Sequence, residues 1–254
     1  MNSTKRNNTG LRITLLIILS IVTLTACGGI FFLYHTIEKQ DASLQSAETE
    51  LKAENANQIP CPTIDQQFLT INEYSRPGTP VVSVDNIVIH YLGNPETTAQ
   101  QNRNYFESLK DLKDVSMSAN YVVGLDGEII QCVPDTEVAY ASNEKNRFSL
   151  SIENCHVDET GKLLDDTYLS LVKLTAYLTA KYHLGRDDII RHYDVTGKEC
   201  PLFYVENEEY WEQFKDDVMR YRQACMSGQT PSDSELEIML AGLAHTYRDD
   251  SYSA

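Results

Sequence analysis

The chain has 254 residues, 42% of them hydrophobic and 23% charged, and a formal net charge of −16. That length holds one generous domain with accessory segments. So acidic a chain is repelled by nucleic-acid phosphates and by anionic lipid headgroups, which excludes nucleic acid as its natural partner.

The charge is unevenly spread. No Asp or Glu precedes Glu38, whereas Lys5, Arg6 and Arg12 sit at the start. After this basic 1–12 segment comes the uncharged run "ITLLIILSIVTLTACGGIFFLY", Ile13 to Tyr34. As a helix rising about 1.5 Å per residue it is long enough to cross a bilayer core of about 30 Å. The basic flank predicts a cytoplasmic N-terminus with the rest of the chain outside. Residues 13–34 therefore read as a single-pass transmembrane anchor. "LTAC", Leu24 to Cys27, also resembles a lipoprotein cleavage box that would leave a lipid on Cys27. The apolar "GIFFLY" that follows favours the uncleaved helix. Either anchor puts the acidic body on the outer face of a cell membrane.

Residues 35–60 are polar and rich in Ala, Glu and Gln, as expected of a helical stalk. Ile37, Leu44 and Leu51 recur at heptad spacing, which would allow weak self-association. From 61 to 225 the pattern alternates. "NIVIHYL" is a buried-type strand. "ETTAQQNRNYFESLKDL" is a helix beginning near Thr97 or Thr98. "ANYVVGLDGEIIQCVP" is a hairpin, turned at Leu125-Asp126-Gly127. "FSLSIENC" is another strand. "DDTYLSLVKLTAYLTAKYHLG" is a helix with Tyr168, Leu171, Val172, Thr175, Leu178 and Tyr182 on one face and Gly185 placed to stop it. "DIIRHYDV" is a short strand or an extended entry to a loop, and "NEEYWEQFKDDVMRYRQ" is a closing amphipathic helix. Strands interleaved with helices, one hairpin among them, predict an α/β fold: a mixed β-sheet flanked by helices. In the 226–254 tail, Ser232 and Glu235 form a capping box ahead of an apolar stripe, Leu236, Met239, Leu240 and Leu243. That stripe suits docking on the domain or on a partner.

Six cysteines include Cys27 in the anchor, leaving Cys61, Cys132, Cys155, Cys200 and Cys225. Sequence alone gives no pairing among them. Cys61 and Cys225 flank the domain and are placed to staple its ends.

Two histidines stand alike: His90 ends "NIVIH" and His192 ends "DIIRH", each closing an apolar strand. Cys200 follows His192 after a turn containing Gly197. Two imidazoles and a thiolate would make a three-ligand zinc site with an open fourth position, the catalytic arrangement. On spacing alone, a loop with a stray histidine fits equally well. Glu153, in "SLSIEN", is a carboxylate on an otherwise apolar strand, costly to bury without a task or a partner. Lys198 lies two residues before Cys200, so in an extended loop both side chains point the same way. Together the five residues would supply metal ligands, a base and a cation for an oxyanion.

"NEYSRPGTP…VDNIVIHYLGNP", "ANYVVGLDGEIIQCVPDTEVAYAS", "SLSIEN" and "RHYDVTGKECP" resemble the zinc-dependent N-acetylmuramoyl-L-alanine amidases, which include phage lysozyme-like amidases and are similar to peptidoglycan recognition proteins. The likeness runs from about Asn72 to Asp217. It implies a mixed sheet flanked by helices, with Zn2+ held by His90, His192 and Cys200. It implies catalytic roles for Glu153 and Lys198, and hydrolysis of the amide between N-acetylmuramic acid and L-alanine in bacterial cell-wall peptidoglycan. Two departures stand out. Where several relatives carry a catalytic tyrosine this chain has Ala119, with Asn120 before Tyr121. Where others carry a histidine it reads Tyr140-Ala141-Ser142. Base duty therefore falls to Glu153. The alternatives are an inactive peptidoglycan-binding module, and a structural His192 and Cys200 with the cysteines in disulfides.

Overall fold

The computed structural model describes residues 59–247, together with Leu16 and residues 34–47. Among the described residues no helix is long and apolar enough to cross a membrane. The expected anchor, 13–34, lies outside them except for Leu16 and Tyr34, and so does the 48–58 part of the expected stalk. The chain divides into two units, Met1–Ala53 and Glu54–Ala254. In the first, residues 34–47 are helical, with Ile37 and Leu44 exposed.

The second unit is built on a six-stranded sheet: β1 (Asp65–Gln66), β2 (Asn86–Tyr91), β3 (Tyr121–Val123), β4 (Ile129–Gln131), β5 (Ser149–Asn154) and β6 (Ile189–Arg191). Their order across the sheet is β1-β4-β3-β5-β2-β6. Only the β3–β4 hairpin is antiparallel; the other neighbours run parallel. This is the mixed sheet expected of alternating strands and helices. The two-residue edge strand β1 was not foreseen, because "DQ" carries no apolar alternation.

The two faces of the sheet have separate cores, since successive side chains on a strand point opposite ways. One face carries Ile87 and Ile89 of β2, Tyr121 and Val123 of β3, and Leu150 and Ile152 of β5. These pack against α2 (Asp165–Lys181), itself covered by α5 (Glu208–Met226) with Trp211, Phe214, Val218 and Tyr221. Each such fully buried side chain contributes about 1.5–3 kcal/mol. The other face has a smaller core, in which Val122 and Ile130 meet Ala99 and Phe106 of α1 (Ala99–Leu112). Thr98 caps α1 in a capping box with Gln101, so the helix starts where the sequence placed it.

Two helix expectations need correction. α2 is buried around most of its circumference rather than on one face, Leu169, Leu174, Ala176 and Ala180 being inside as well. It lies between the sheet and α5, which leaves solvent only a narrow stripe through Asp166, Ser170, Lys173, Tyr177 and Lys181. Nor does Gly185 stop it. His183 takes the left-handed conformation at φ 58°, His183 N–H donates to Ala180 O, and Leu184 N–H donates to Thr179 O at 2.7 Å. That is a Schellman closure with histidine where glycine usually sits; Gly185 opens the next turn.

The tail docks on the domain. Ser232 and Glu235 make the capping box of α6 (Asp233–Met239), and Leu236 and Leu240 enter the main core with Met239 and Leu243 packed against it. A fully buried carboxylate on α5, Asp217, ties it down. Asp217 accepts from Gly242 N–H at 2.7 Å, from Tyr168 OH at 2.9 Å and from Arg220 at 2.5 Å. The staple between Cys61 and Cys225 is not formed: Cys61, Cys132, Cys155, Cys200 and Cys225 are all free thiols. Cys61 instead hydrogen-bonds with Tyr177, and Cys225 with Tyr221 and Thr230.

Asp217→Ala should remove the tail's anchor and leave Gly242 N–H and Tyr168 OH without their acceptor, at a cost of about 1–3 kcal/mol. Urea unfolding should show the lower midpoint, and limited proteolysis should open the 227–247 segment first. An unchanged midpoint with a protected tail would contradict the assignment.

Candidate metal centre

The site begins with strand register. β2 and β5 pair in parallel with His90 opposite Glu153. Since Ile87, Ile89, Leu150 and Ile152 face the main core, alternation sends His90 and Glu153 out of the opposite face. β6 pairs with the other side of β2. Its continuation differs from the sequence expectation: His192 does not end the strand but opens the short helix α3 (His192–Thr196). Gly197, at φ 77°, closes that helix and reverses the chain. Tyr193 N–H then donates to Cys200 O at 2.9 Å, which holds Cys200 beside His192. The loop is not extended either, because Cys200 N–H donates to Lys198 O at 2.7 Å in a tight turn. As a result Cys200 is buried while Lys198 is exposed.

Arg191 pins this segment from beneath. Its guanidinium bonds both carboxylate oxygens of Asp194, at 3.2 and 2.9 Å, and Glu208 at 2.6 Å. It also donates to Tyr204 O at 2.9 Å, in α4 (Leu202–Glu206), the short helix just after Cys200. One buried side chain therefore fixes both the entry to His192 and the exit from Cys200.

The structure brings His90, His192 and Cys200 together, with their donor atoms all within 4.8 Å of one another and all three residues buried. His90 Nδ1 lies 3.7 Å from Cys200 Sγ and 3.9 Å from Glu153 Oε1. The imidazole rings of His90 and His192 stand 4.7 Å apart. Among the described residues, two buried polar atoms here lack a hydrogen-bond partner, His192 Nδ1 and Glu153 Oε2. Unmet buried acceptors cost about 1–3 kcal/mol each, and a shared cation would satisfy them. Two imidazoles, a thiol and orphaned donor atoms make a set that fits a metal ion. All five sequence candidates line one cavity of about 330 Å³, with Lys198 on its exposed side and Leu92, Met117, Tyr140 and Asn143 among its walls.

Without an ion, burial pushes every group at the centre toward its neutral form. It raises Glu153 to about 8, against a partial lowering by Lys198. It raises Cys200 to about 12, with Glu153 adding to the effect. His90 falls well below the usual histidine value through burial, His192 and Lys198, and His192 is lowered by burial and Lys198. A bound dication reverses this logic by favouring thiolate and carboxylate.

Two residues escaped sequence reasoning. Ser142 Oγ lies 3.0 Å from His90 Nε2, and Asn143 Oδ1 lies 3.2 Å from His192 Nε2. Their signal was faint: the Tyr140-Ala141-Ser142 segment stood out only as a departure from relatives. Ala119, the other departure, is fully buried in the smaller core, and Asn120 bonds with Ser151. Neither lines the cavity.

Residues 79–202 match the family model described as N-acetylmuramoyl-L-alanine amidase. That segment is an amidase-family match. The N-acetylmuramoyl-L-alanine amidase CwlL of Bacillus licheniformis is 33% identical over 166 residues, 60% of this chain and 46% of that one. BlyA of Bacillus subtilis (strain 168), also named as an N-acetylmuramoyl-L-alanine amidase, is 31% identical over 186 residues, 65% of this chain and 48% of that one. The chain thus spans about half the length of the curated relatives it matches. Among solved structures, that of PlyL superposes with a TM-score of 0.54 at 22% identity, covering 62% of this chain and 97% of that chain. The catalytic domain of XlyA gives 0.52 at 23%, covering 62% and 99%. At that identity the likeness establishes the fold. His90, Glu153, His192, Lys198 and Cys200 all fall inside the amidase match.

The domain should show its buried glutamate in the pH dependence of the metal-free protein. With the folded-state value near 8 against an ordinary 4.5, the folded form holds the extra proton between them. Glu153's contribution to stability should therefore fall as pH rises from about 4.5 to about 8, while the lowered His90 and His192 contribute the opposite slope up to the ordinary histidine value. Glu153→Gln removes that titration and leaves the histidine one, so at pH 8 the metal-free variant should melt several degrees above wild type, the gap widening as pH rises from about 4.5. Parallel profiles for the two proteins would refute the burial argument.

Proposed function

We propose that this protein is a zinc-dependent N-acetylmuramoyl-L-alanine amidase that hydrolyses the amide between N-acetylmuramic acid and L-alanine in bacterial peptidoglycan. The observation that carries the reading is the convergence of His90, His192 and Cys200 within 4.8 Å, beside Glu153 and inside the amidase match. A His/His/Cys donor set suits zinc, and three protein ligands leave a position open.

His90, His192 and Cys200 hold the ion. When bound, it supplies a Lewis acid for the scissile carbonyl and makes a water acidic near neutral pH. Glu153 faces the same space with Oε2 unpartnered, so it accepts the proton of the attacking water and delivers it to the departing amine of L-alanine. Its burial serves that second step by shielding the accepted proton from bulk water. Lys198, exposed at the rim, places an ammonium near charge developing on the carbonyl oxygen. The same reading tethers the domain outside a cell membrane, through residues 13–34 or a lipid on Cys27. With Ala119 buried and absent from the cavity lining, Glu153 is left as the base.

Purified protein loaded with zinc should release stem peptides with a free L-alanine amino terminus from muropeptides. Glu153→Gln should lower kcat by about 10²–10⁴ with zinc content unchanged, whereas Cys200→Ser should lose zinc and activity together. Wild type that binds muropeptides and zinc yet releases no alanine terminus would establish a recognition module instead.

A further inference from the structure

One turn, Ala141 to Asn143, meets both histidines of the centre. Ser142 Oγ reaches His90 Nε2 at 3.0 Å, and its neighbour Asn143 reaches His192 Nε2 through Oδ1 at 3.2 Å. The same ring nitrogen is engaged in each case. The other nitrogen faces the site. His90 Nδ1 lies 3.7 Å from Cys200 Sγ, and His192 Nδ1 is buried without a hydrogen-bond partner.

An amide oxygen accepts and never donates, so His192 Nε2 must carry the hydrogen and Nδ1 keeps its lone pair. The opposite tautomer would set two acceptors against each other and leave a buried N–H unsatisfied. A serine hydroxyl can donate or accept, and as acceptor it holds His90 in the same form. The turn is itself braced: the amides of Ala141 and Ser142 both donate to Asn146 Oδ1, at 3.1 and 2.5 Å. Asn143 sits at φ 51°, a left-handed conformation that asparagine tolerates better than most residues.

We propose that Ser142 and Asn143 are positioning residues of the metal centre, fixing both histidines as the Nε2–H tautomer so that each offers Nδ1 to the ion. The inference rests on the metal-centre reading above and extends it to two residues outside the ligand set. Outer hydrogen bonds of this kind orient a ligand and raise its basicity, and losing one costs roughly 10–100-fold in metal affinity.

Two measurements on the full-length protein test it. Long-range nitrogen–proton spectra of the histidine rings in the metal-free wild type should show His90 and His192 both protonated at Nε2; an Nδ1–H form at either overturns the proposal without any variant. Zinc affinity, by chelator competition, should fall about 10–100-fold in Asn143→Gly, which keeps the left-handed backbone but removes the acceptor. Asn143→Asp, which restores an acceptor, should recover affinity to within a few-fold of wild type. Asn143→Gly that binds zinc as tightly as wild type overturns the proposal. Wild type that takes up no zinc overturns the metal-centre reading and this inference together. Tight zinc with no muropeptide cleavage sinks only the amidase reading.

Discussion

The in-register parallel pairing of β2 with β5 is the constraint on which the centre depends. It sets His90 directly beside Glu153, and strand alternation then decides that both leave the main core together. A slip of one residue would turn His90 into that core and bring Ile89 out. The register is held firmly, because Ile87, Ile89, Leu150 and Ile152 are all fully buried on the opposite face. The apolar half of each strand thus fixes where its polar half goes. β6, on the far side of β2, brings the third element, and the Arg191 clamp ties the start of α3 to the start of α4.

That arrangement gathers groups that do not stabilise one another in the absence of an ion. Two imidazoles, a thiol and a carboxyl sit in a space where burial favours the neutral form of each. The fold holds them there through contacts made elsewhere, in the main core and in the Arg191 network. Stability and chemistry are unevenly shared across the sheet: one face carries the main core, the other the smaller core and the cavity.

Much of this was legible in the sequence. "NIVIH" and "SLSIEN" advertise their burial through β-branched residues, and each carries one polar residue that the pattern does not require. The Asp-Gly turn fixed the hairpin, and Ser232 with Glu235 fixed the start of the tail helix. What escaped was conformation that depends on tertiary neighbours. His183 ends α2 because the chain must turn there, and no local signal favours histidine over Gly185. Lys198 and Cys200 parted company because a tight turn, not an extended strand, joins them. Ser142 and Asn143 carry no motif, since their importance lies in partners some fifty residues away.

The docked tail bears on where this domain ends. The amidase match stops at Leu202, yet Trp211, Phe214, Val218, Leu236 and Leu240 beyond it are part of the same apolar interior. A fragment trimmed to the matched residues would keep all five candidate site residues while stripping the outer layer from α2. Such a fragment would present a broad oily surface to solvent and be prone to aggregate. The smallest autonomous unit of this chain is therefore set by its hydrophobic cover, which reaches well past the segment that carries the chemistry.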